Sequence, residues 1–163
     1  MTTLIAPHDD VHDFDFLVGR WQVHNRCLRT RLRGTHDWAE FPATHWLEQR
    51  LGGLVNVDQM DCPTEGWSGM TVRAFDRAQR RWSIHWISSA NGVLSPPVCG
   101  GFEGDTGIFV GHDVDDGRAV HVCFHWQRLA PDAARWEQAF SLDGRHWETN
   151  WVMQFTRING VET

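Results

Sequence analysis

Lysine and tyrosine are absent from this chain, and its four cysteines form no Cys-x-x-Cys pair: Cys27, Cys62, Cys99 and Cys123. A Schiff base with a carbonyl substrate needs a lysine amine, so the absence of lysine excludes that chemistry. The scattered cysteines argue against a thiolate zinc site and a dithiol redox motif. We expect free, mostly buried thiols.

Long apolar runs are also missing, since no stretch approaches the roughly 20 residues that span a bilayer. The opening MTTLIAPHDD has neither the basic start nor the apolar block of a signal peptide. The formal net charge is -6 and the arginines are dispersed along the chain, which gives no electrostatic reason to bind nucleic acid. These features predict a cytoplasmic protein that binds neither membrane nor nucleic acid.

Common catalytic fingerprints are lacking as well. The chain has no Gly-x-Ser-x-Gly elbow, phosphate-binding loop or dinucleotide motif. The glycine-rich GGFEGDTG at 100–107 lies between predicted strands rather than before a helix, so its glycines indicate turns. Standard nucleophile and nucleotide chemistries are therefore disfavoured.

What the chain does have is alternation of apolar and polar residues, broken at short turns. Its 163 residues predict one domain over 1–163, with a loosely ordered lead over 1–13 and a helical turn around Asp13 to Leu17. The predicted strands are 20–32, 37–50, 53–61, 68–76, 81–89, 98–104, 107–113, 118–128, 133–142 and 146–157.

Strands joined in this order by hairpin turns predict an all-β fold, an antiparallel meander. Closing the meander removes the exposed edge strands that invite aggregation. We therefore expect a barrel of about 8 to 10 strands, whose interior is either filled by side chains or holds one small ligand.

Two terminal motifs support closure. FLVGRW places Gly19 and Trp21 on the first strand, and FTR places Arg157 at the end of the last. This pair resembles the calycin pattern, as in lipocalins, where the late arginine packs across the tryptophan. The segments LGGLVNVDQ, RRWSIHWI, PPVCGGFEGDTGIFVG and ARWEQAFSLDGRHWETNWVMQFTR extend the resemblance to a bacterial calycin-like family classed as a domain of unknown function. The resemblance implies a lipocalin-like barrel and no particular activity.

Ten tryptophans make the predicted interior unusually aromatic. With Trp21 pointing inward, the same strand faces collect Trp82, Ile84, Trp86, Val122, Phe124, Trp126, Trp136, Phe140, Trp147, Trp151 and Met153. These rings either fill a core or stack against a planar or apolar ligand. The residues predicted to bind such a ligand are Trp82, Trp86, Trp126, Trp136, Trp151, Asn25, Gln138 and Thr149.

The opposite strand faces hold a second set of polar residues: His85, His121, Cys123, His125, Glu137, Glu148 and Asn150. Successive same-face residues lie about 6 to 7 Å apart, a poor spacing for chelation, so no metal site is predicted. A β-bulge or a shift of register would instead turn this row inward and pair His85 with Glu137 for acid–base chemistry.

The leading hypothesis from the sequence is a barrel that binds a small apolar or aromatic molecule. An enzyme of isomerase, cyclase or hydratase type is the alternative, with His85, Glu137 and Asn150 as candidate catalytic residues. No cofactor is predicted, although a haem carrier ligated through His24, His85 or His125 stays open. A structural homodimer is a further alternative.

Overall fold

The computed structural model describes residues 11–159, so the first ten positions of the predicted lead lie outside the described residues. Two 3₁₀ turns, Asp15–Leu17 and Leu51–Gly53, accompany ten strands. The strands are β1 Gly19–Leu28, β2 Trp38–Arg50, β3 Val55–Cys62, β4 Trp67–Asp76, β5 Arg81–Ser88, β6 Val98–Glu103, β7 Thr106–Asp115, β8 Arg118–Ala130, β9 Ala133–Ser141 and β10 Glu148–Arg157. Within this part of the chain, no helix is both long and apolar enough to cross a membrane.

The ten strands form a closed barrel in which each pairs with the next and β10 returns to β1. The predicted all-β antiparallel meander is thereby confirmed. The β1–β10 register closes the ring from Trp21 opposite Arg157 to Cys27 opposite Trp151. The shortest seam joins β5 to β6, where pairing ends with Ile84 opposite Val98.

Some predicted strand bounds differ from the structure. The first strand ends at Leu28 rather than at residue 32, since Leu32 has φ 58° and Gly34 has φ 67°, which do not fit an extended strand. The last strand begins at Glu148 rather than at residue 146, and Trp147 is 44% exposed. The chain between β1 and β2 is therefore a loop, and it reaches the barrel opening.

One end of the barrel is closed by aromatic packing. Trp21 is fully buried, and its Nε1 donates to the carbonyl of Leu17 at 2.9 Å. The Arg157 guanidinium lies 4.2 Å from the Trp21 ring centroid and donates to the carbonyl oxygens of Phe16 and Val18 at 2.6 and 2.7 Å. A Cβ at residue 19 would lie 2.9 Å from an Arg157 nitrogen, so Gly19, with φ 115°, suits this close approach.

Candidate functional site

A cavity of about 340 Å³ occupies the barrel between this closed end and the opposite, open end. That volume lies at the lower end of the range of small-molecule sites, about 300 to 1,000 Å³. Its apolar wall comprises Met60, Ile84, Trp86, Val98, Val122, Phe124, Trp126, Trp136, Phe140, Trp151, Met153 and Phe155. This composition is typical of sites for apolar or aromatic molecules.

The tryptophan rings on the wall pack edge to face. The Trp151 ring centroid lies 5.3 Å from that of Trp136 and 5.7 Å from that of Trp86, with interplanar angles of 86° and 85°. Trp151 is also anchored by polar contact, because its Nε1 donates to Asn25 Oδ1 at 2.9 Å. Each ring packs against its neighbour, and these contacts fix the orientations of the rings in the wall.

Gly69 on β4 provides the space for Trp86. A Cβ at this position would come within 1.9 Å of the end of the Trp86 indole, far closer than any real contact. The ring therefore lies directly over the glycine backbone. Glycine at residue 69 is needed for the orientation that Trp86 adopts in the wall.

A buried charged cluster, here called the polar cluster, lies at the inner end of the cavity and consists of His45, Asp58 and Arg73. These residues are 5%, 3% and 3% exposed. Asp58 Oδ2 lies 3.1 Å from His45 Nε2 and 2.8 Å from Arg73 Nη2. The other oxygen, Oδ1, accepts from the backbone N–H of Thr71 at 2.8 Å.

The polar cluster joins the cavity to the closed end. The Arg73 guanidinium lies 4.9 Å from the Phe14 ring centroid, and the His45 ring packs on Phe155 at 5.3 Å. Arg73 Nη1 also donates to Asn56 Oδ1 at 3.0 Å. Hydrogen bonds and aromatic rings thus fix the orientation of each charged side chain.

The charge state of Asp58 follows from these contacts. Burial alone would raise the pKa of its carboxyl, but the Coulombic attraction of Arg73 and His45 and their hydrogen bonds outweigh it. The pKa is held well below its ordinary value of 3.8, so the group is a carboxylate at neutral pH.

Two atoms of the polar cluster, His45 Nδ1 and Arg73 Nε, are buried without a hydrogen-bond partner among residues 11–159. Buried polar atoms in folded proteins nearly always have a partner. Both side chains border the cavity.

The open end is framed by loops. Arg31, from the β1–β2 loop, donates to Asp115 Oδ1 through Nε and Nη2 at 3.0 and 2.6 Å. The segment between β5 and β6 supplies Asn91, Ser95 and Pro96 to the cavity wall. These loops and the short β5–β6 seam form the rim of the open end.

Five of the predicted ligand-binding residues lie on the cavity wall: Trp86, Trp126, Trp136, Trp151 and Gln138. Trp82 lies instead in the closed end, fully buried against Phe14 and Phe75 with ring centroids 5.1 and 5.3 Å away. Asn25 lies behind the wall and reaches it only through its hydrogen bond with Trp151. Thr149 lies outside the wall.

A β-bulge explains the positions of the residues around Thr149. The β9–β10 register shifts between Thr149 and Trp151, leaving Asn150 as the extra residue. Asn150 is 2% exposed, and its Oδ1 accepts from Gln138 Nε2 at 2.9 Å. Asn150 was expected on the outer face beside Glu148, but the bulge brings it to the interior.

The predicted acid–base residues are not brought together. His85 Nδ1 donates to the carbonyl of Ser95 at 2.9 Å, which ties β5 to the loop at the open end. Glu137 is ion-paired with Arg135 on its own strand, and the residue opposite it on β8 is His125. His85, Glu137, His24 and His125 all lie outside the cavity wall, so none of the proposed haem ligands faces the cavity.

The polar cluster was not predicted from the sequence. His45, Asp58 and Arg73 occupy alternating inward positions of β2, β3 and β4, among apolar neighbours such as Ala43 and Phe75. A charged or titratable residue at an inward position in three consecutive strands was the available signal. It points to a polar site within the barrel.

The pKa of three of the four thiols is raised, which disfavours the nucleophilic thiolate form. All four cysteines are free. Burial, followed by the proximity of other titratable groups, raises the pKa of Cys27 and of Cys62 to about 12, so both are protonated at neutral pH. Burial also raises the pKa of Cys123. Between residues 11 and 159, no three or more His, Cys, Asp or Glu residues are grouped so that they could hold a metal ion.

Comparison with solved structures finds the same fold in the S-type phycobiliprotein lyase CPES from Guillardia theta. The two chains superpose with a TM-score of 0.57 at 13% identity, covering 91% of this chain and 92% of the lyase. At this identity the likeness shows the fold alone. No family model matches the chain, and a search of curated proteins finds no match.

Proposed function

We propose that this barrel binds a small, largely apolar or aromatic molecule in the central cavity. The observation that supports the proposal most strongly is a cavity of about 340 Å³ whose wall includes four tryptophans. A tryptophan-rich chain that only filled its barrel would leave no such space, because protein interiors pack densely.

The wall favours a flat ligand. The mutually edge-on rings of Trp86, Trp136 and Trp151 present both faces and edges, against which a planar molecule can stack or make edge contacts. Gln138 on the wall and the polar cluster at the inner end supply the few polar groups that orient a ligand. The ligand class is therefore aromatic with a small number of polar substituents.

Titration with 2-naphthol, followed by calorimetry, tests this function. The variant Trp86→Ala removes a wall ring, whereas Trp147→Ala removes an exposed ring outside the cavity and is the matched control. We expect Trp86→Ala to weaken binding by about threefold to tenfold. Trp147→Ala should leave the affinity unchanged.

Native mass spectrometry of the protein from its own organism, compared with the denatured mass, identifies the bound molecule directly. A non-covalent adduct of defined mass is the expected result. If 2-naphthol does not bind, or binds Trp86→Ala and the wild type equally while only the melting temperature falls, the wall rings are core and the proposal fails.

A further inference from the structure

The hydrogen bond between His45 and Asp58 fixes which nitrogen of His45 carries a proton. A carboxylate oxygen only accepts, so Nε2, 3.1 Å from Asp58 Oδ2, must donate. In the neutral form of His45 the imidazole has a single N–H, so Nδ1 then carries a lone pair. A side chain that borders the cavity thus holds an acceptor nitrogen without a hydrogen-bond partner in the described part of the chain.

Arg73 adds a hydrogen-bond donor to this acceptor. Its Nε–H is a buried donor without a partner in the described part of the chain, and its Nη2 shares Asp58 Oδ2 with His45. The inner end of the cavity thus offers one acceptor and one donor held by the same carboxylate. A hydroxyl group can donate to the first and accept from the second, which neither an aliphatic nor an aromatic C–H can do.

We propose that the ligand of this cavity is an aromatic hydroxy compound whose O–H donates to His45 Nδ1, and that His45 removes that proton. This inference rests on the proposed function, since it requires that a ligand occupies the cavity. It identifies the substrate class as phenols and assigns to His45 the acid–base role.

The proton transfer balances in charge. The O–H bond of the ligand breaks, its electron pair stays on oxygen as a phenolate, and a new N–H bond forms at Nδ1. The imidazolium and the phenolate carry opposite charges, so the transfer leaves the formal charge of this end of the cavity unchanged, and Asp58 and Arg73 already offset each other there. Asp58 stabilises the imidazolium, and the guanidinium of Arg73, which also borders the cavity, supplies positive charge at the same end as the phenolate.

The other charged and titratable groups on the cavity wall lie at the open end: Arg31, His112, Asp113 and Asp115. Arg31 and Asp115 are paired with each other. His85, the histidine that the sequence favoured, donates its Nδ1–H to the carbonyl of Ser95 and does not border the cavity. His45 is thus the base positioned to meet a ligand at the inner end.

The first experiment is nitrogen-15 NMR of the histidine side chains in the wild-type protein at neutral pH. We expect His45 Nε2 to resonate as a protonated nitrogen and Nδ1 as an unprotonated one. On adding 4-nitrophenol, Nδ1 should become protonated. A His45 that carries its proton on Nδ1 before ligand is added, or whose Nδ1 is unchanged by bound 4-nitrophenol, overturns the inference.

The second experiment uses absorbance, because 4-nitrophenol changes colour on ionisation. Below the probe's own pKa in water, the wild type should bind it in the ionised form. 4-Nitroanisole has a methoxy group in place of the hydroxyl, and we expect it to bind at least tenfold more weakly. His45→Gln should lose both the ionised spectrum and the preference for nitrophenol, while His85→Gln should retain them.

The outcomes separate the two proposals. If neither probe binds, the ligand-binding function itself fails. If both probes bind wild type equally, or His45→Gln still ionises 4-nitrophenol, ligand binding stands and the hydroxyl inference fails, with water as the partner of Nδ1. Should His45→Gln not fold, the wild-type NMR and the comparison of the two probes still decide.

Discussion

The two ends of the barrel use the same residue type to opposite effect. Trp82 and Trp86 lie four residues apart on β5, but Trp82 is fully buried whereas Trp86 borders the cavity. Phe14, from the turn before β1, packs against Trp82 with ring centroids 5.1 Å apart. At the other end, polar loop residues such as Asn91 and Ser95 meet the interior. Whether a tryptophan is core or wall is thus decided by the segment that covers that end.

The polar cluster marks the boundary between these ends. Arg73 touches Phe14 on one side and borders the cavity on the other. Burying charges is costly unless every charge is paired and hydrogen-bonded. A chain that needed only a stable core would do as well with apolar residues here, so the cluster is more readily explained by the cavity than by the core.

Replacing each β5 tryptophan in turn is the most direct test of the difference in packing between the two ends of the barrel. Trp82→Ala should lower the free energy of unfolding by about 3 to 5 kcal/mol, since it leaves a hole in a filled region. Trp86→Ala should cost less, because the ring already lacks neighbours on its cavity side. Denaturant unfolding measures both. Equal losses at the two positions would mean that the ends are packed alike.

Asp58→Asn tests the boundary. It leaves Arg73 buried without its carboxylate, and we expect a loss of about 3 kcal/mol at neutral pH. The folded-state pKa of Asp58 lies below its unfolded value, so its contribution is present above about pH 4 and is lost as the pH falls further.

The acid dependence distinguishes this effect from a general loss of packing. Stability of the wild type should fall below about pH 4 more steeply than that of Asp58→Asn, so the two curves converge in acid. Thermal melts between pH 2 and 7 provide the measurement. Parallel curves would show that Asp58 is not the group that titrates.

The fold could be predicted because its determinants are local. Alternation and hairpin turns define the strands, and the Gly19, Trp21 and Arg157 motif predicted how the barrel ends meet. The predicted end of the first strand was wrong because the alternation pattern does not reveal the positive φ of Leu32. Such a residue takes its conformation from the loop around it.

The site was harder to predict because it depends on contacts between distant strands. The alternation on β5 placed Trp82 and Trp86 on one face, but it contains no information about Phe14, which fills one end. The bulge that turns Asn150 inward is a register shift against β9, invisible in the β10 sequence alone. His45 and Asp58 become partners only because β2 and β3 pair.

Arg157→Gln is expected to weaken only the closed end. It removes hydrogen bonds to the carbonyls of Phe16 and Val18 and the contact with Trp21. We expect a loss of about 1.5 to 3 kcal/mol, the range for hydrogen bonds to a charged group. Affinity for 2-naphthol at the cavity should be unchanged in calorimetry. A parallel loss of affinity would mean that the two ends are coupled.

Gly69→Ala probes the cavity end with a single methyl group. The new Cβ would clash with the Trp86 ring, so the ring must move. We expect a cost of about 1 kcal/mol, at the low end for overpacking, because the ring can shift toward the cavity. The shift narrows the cavity and should weaken 2-naphthol binding, measured alongside stability.

A double-mutant cycle isolates the cause. In the Trp86→Ala background there is no ring for the new Cβ to meet, so Gly69→Ala should have almost no effect on stability or affinity. If Gly69→Ala lowers the free energy of unfolding equally in the wild type and in Trp86→Ala, its effect arises in the β4 backbone and not at the wall. If Gly69→Ala lowers stability and affinity only when the Trp86 ring is present, the effect comes from the clash between the new Cβ and that ring. Trp86 would then owe its position in the wall to the missing side chain at residue 69.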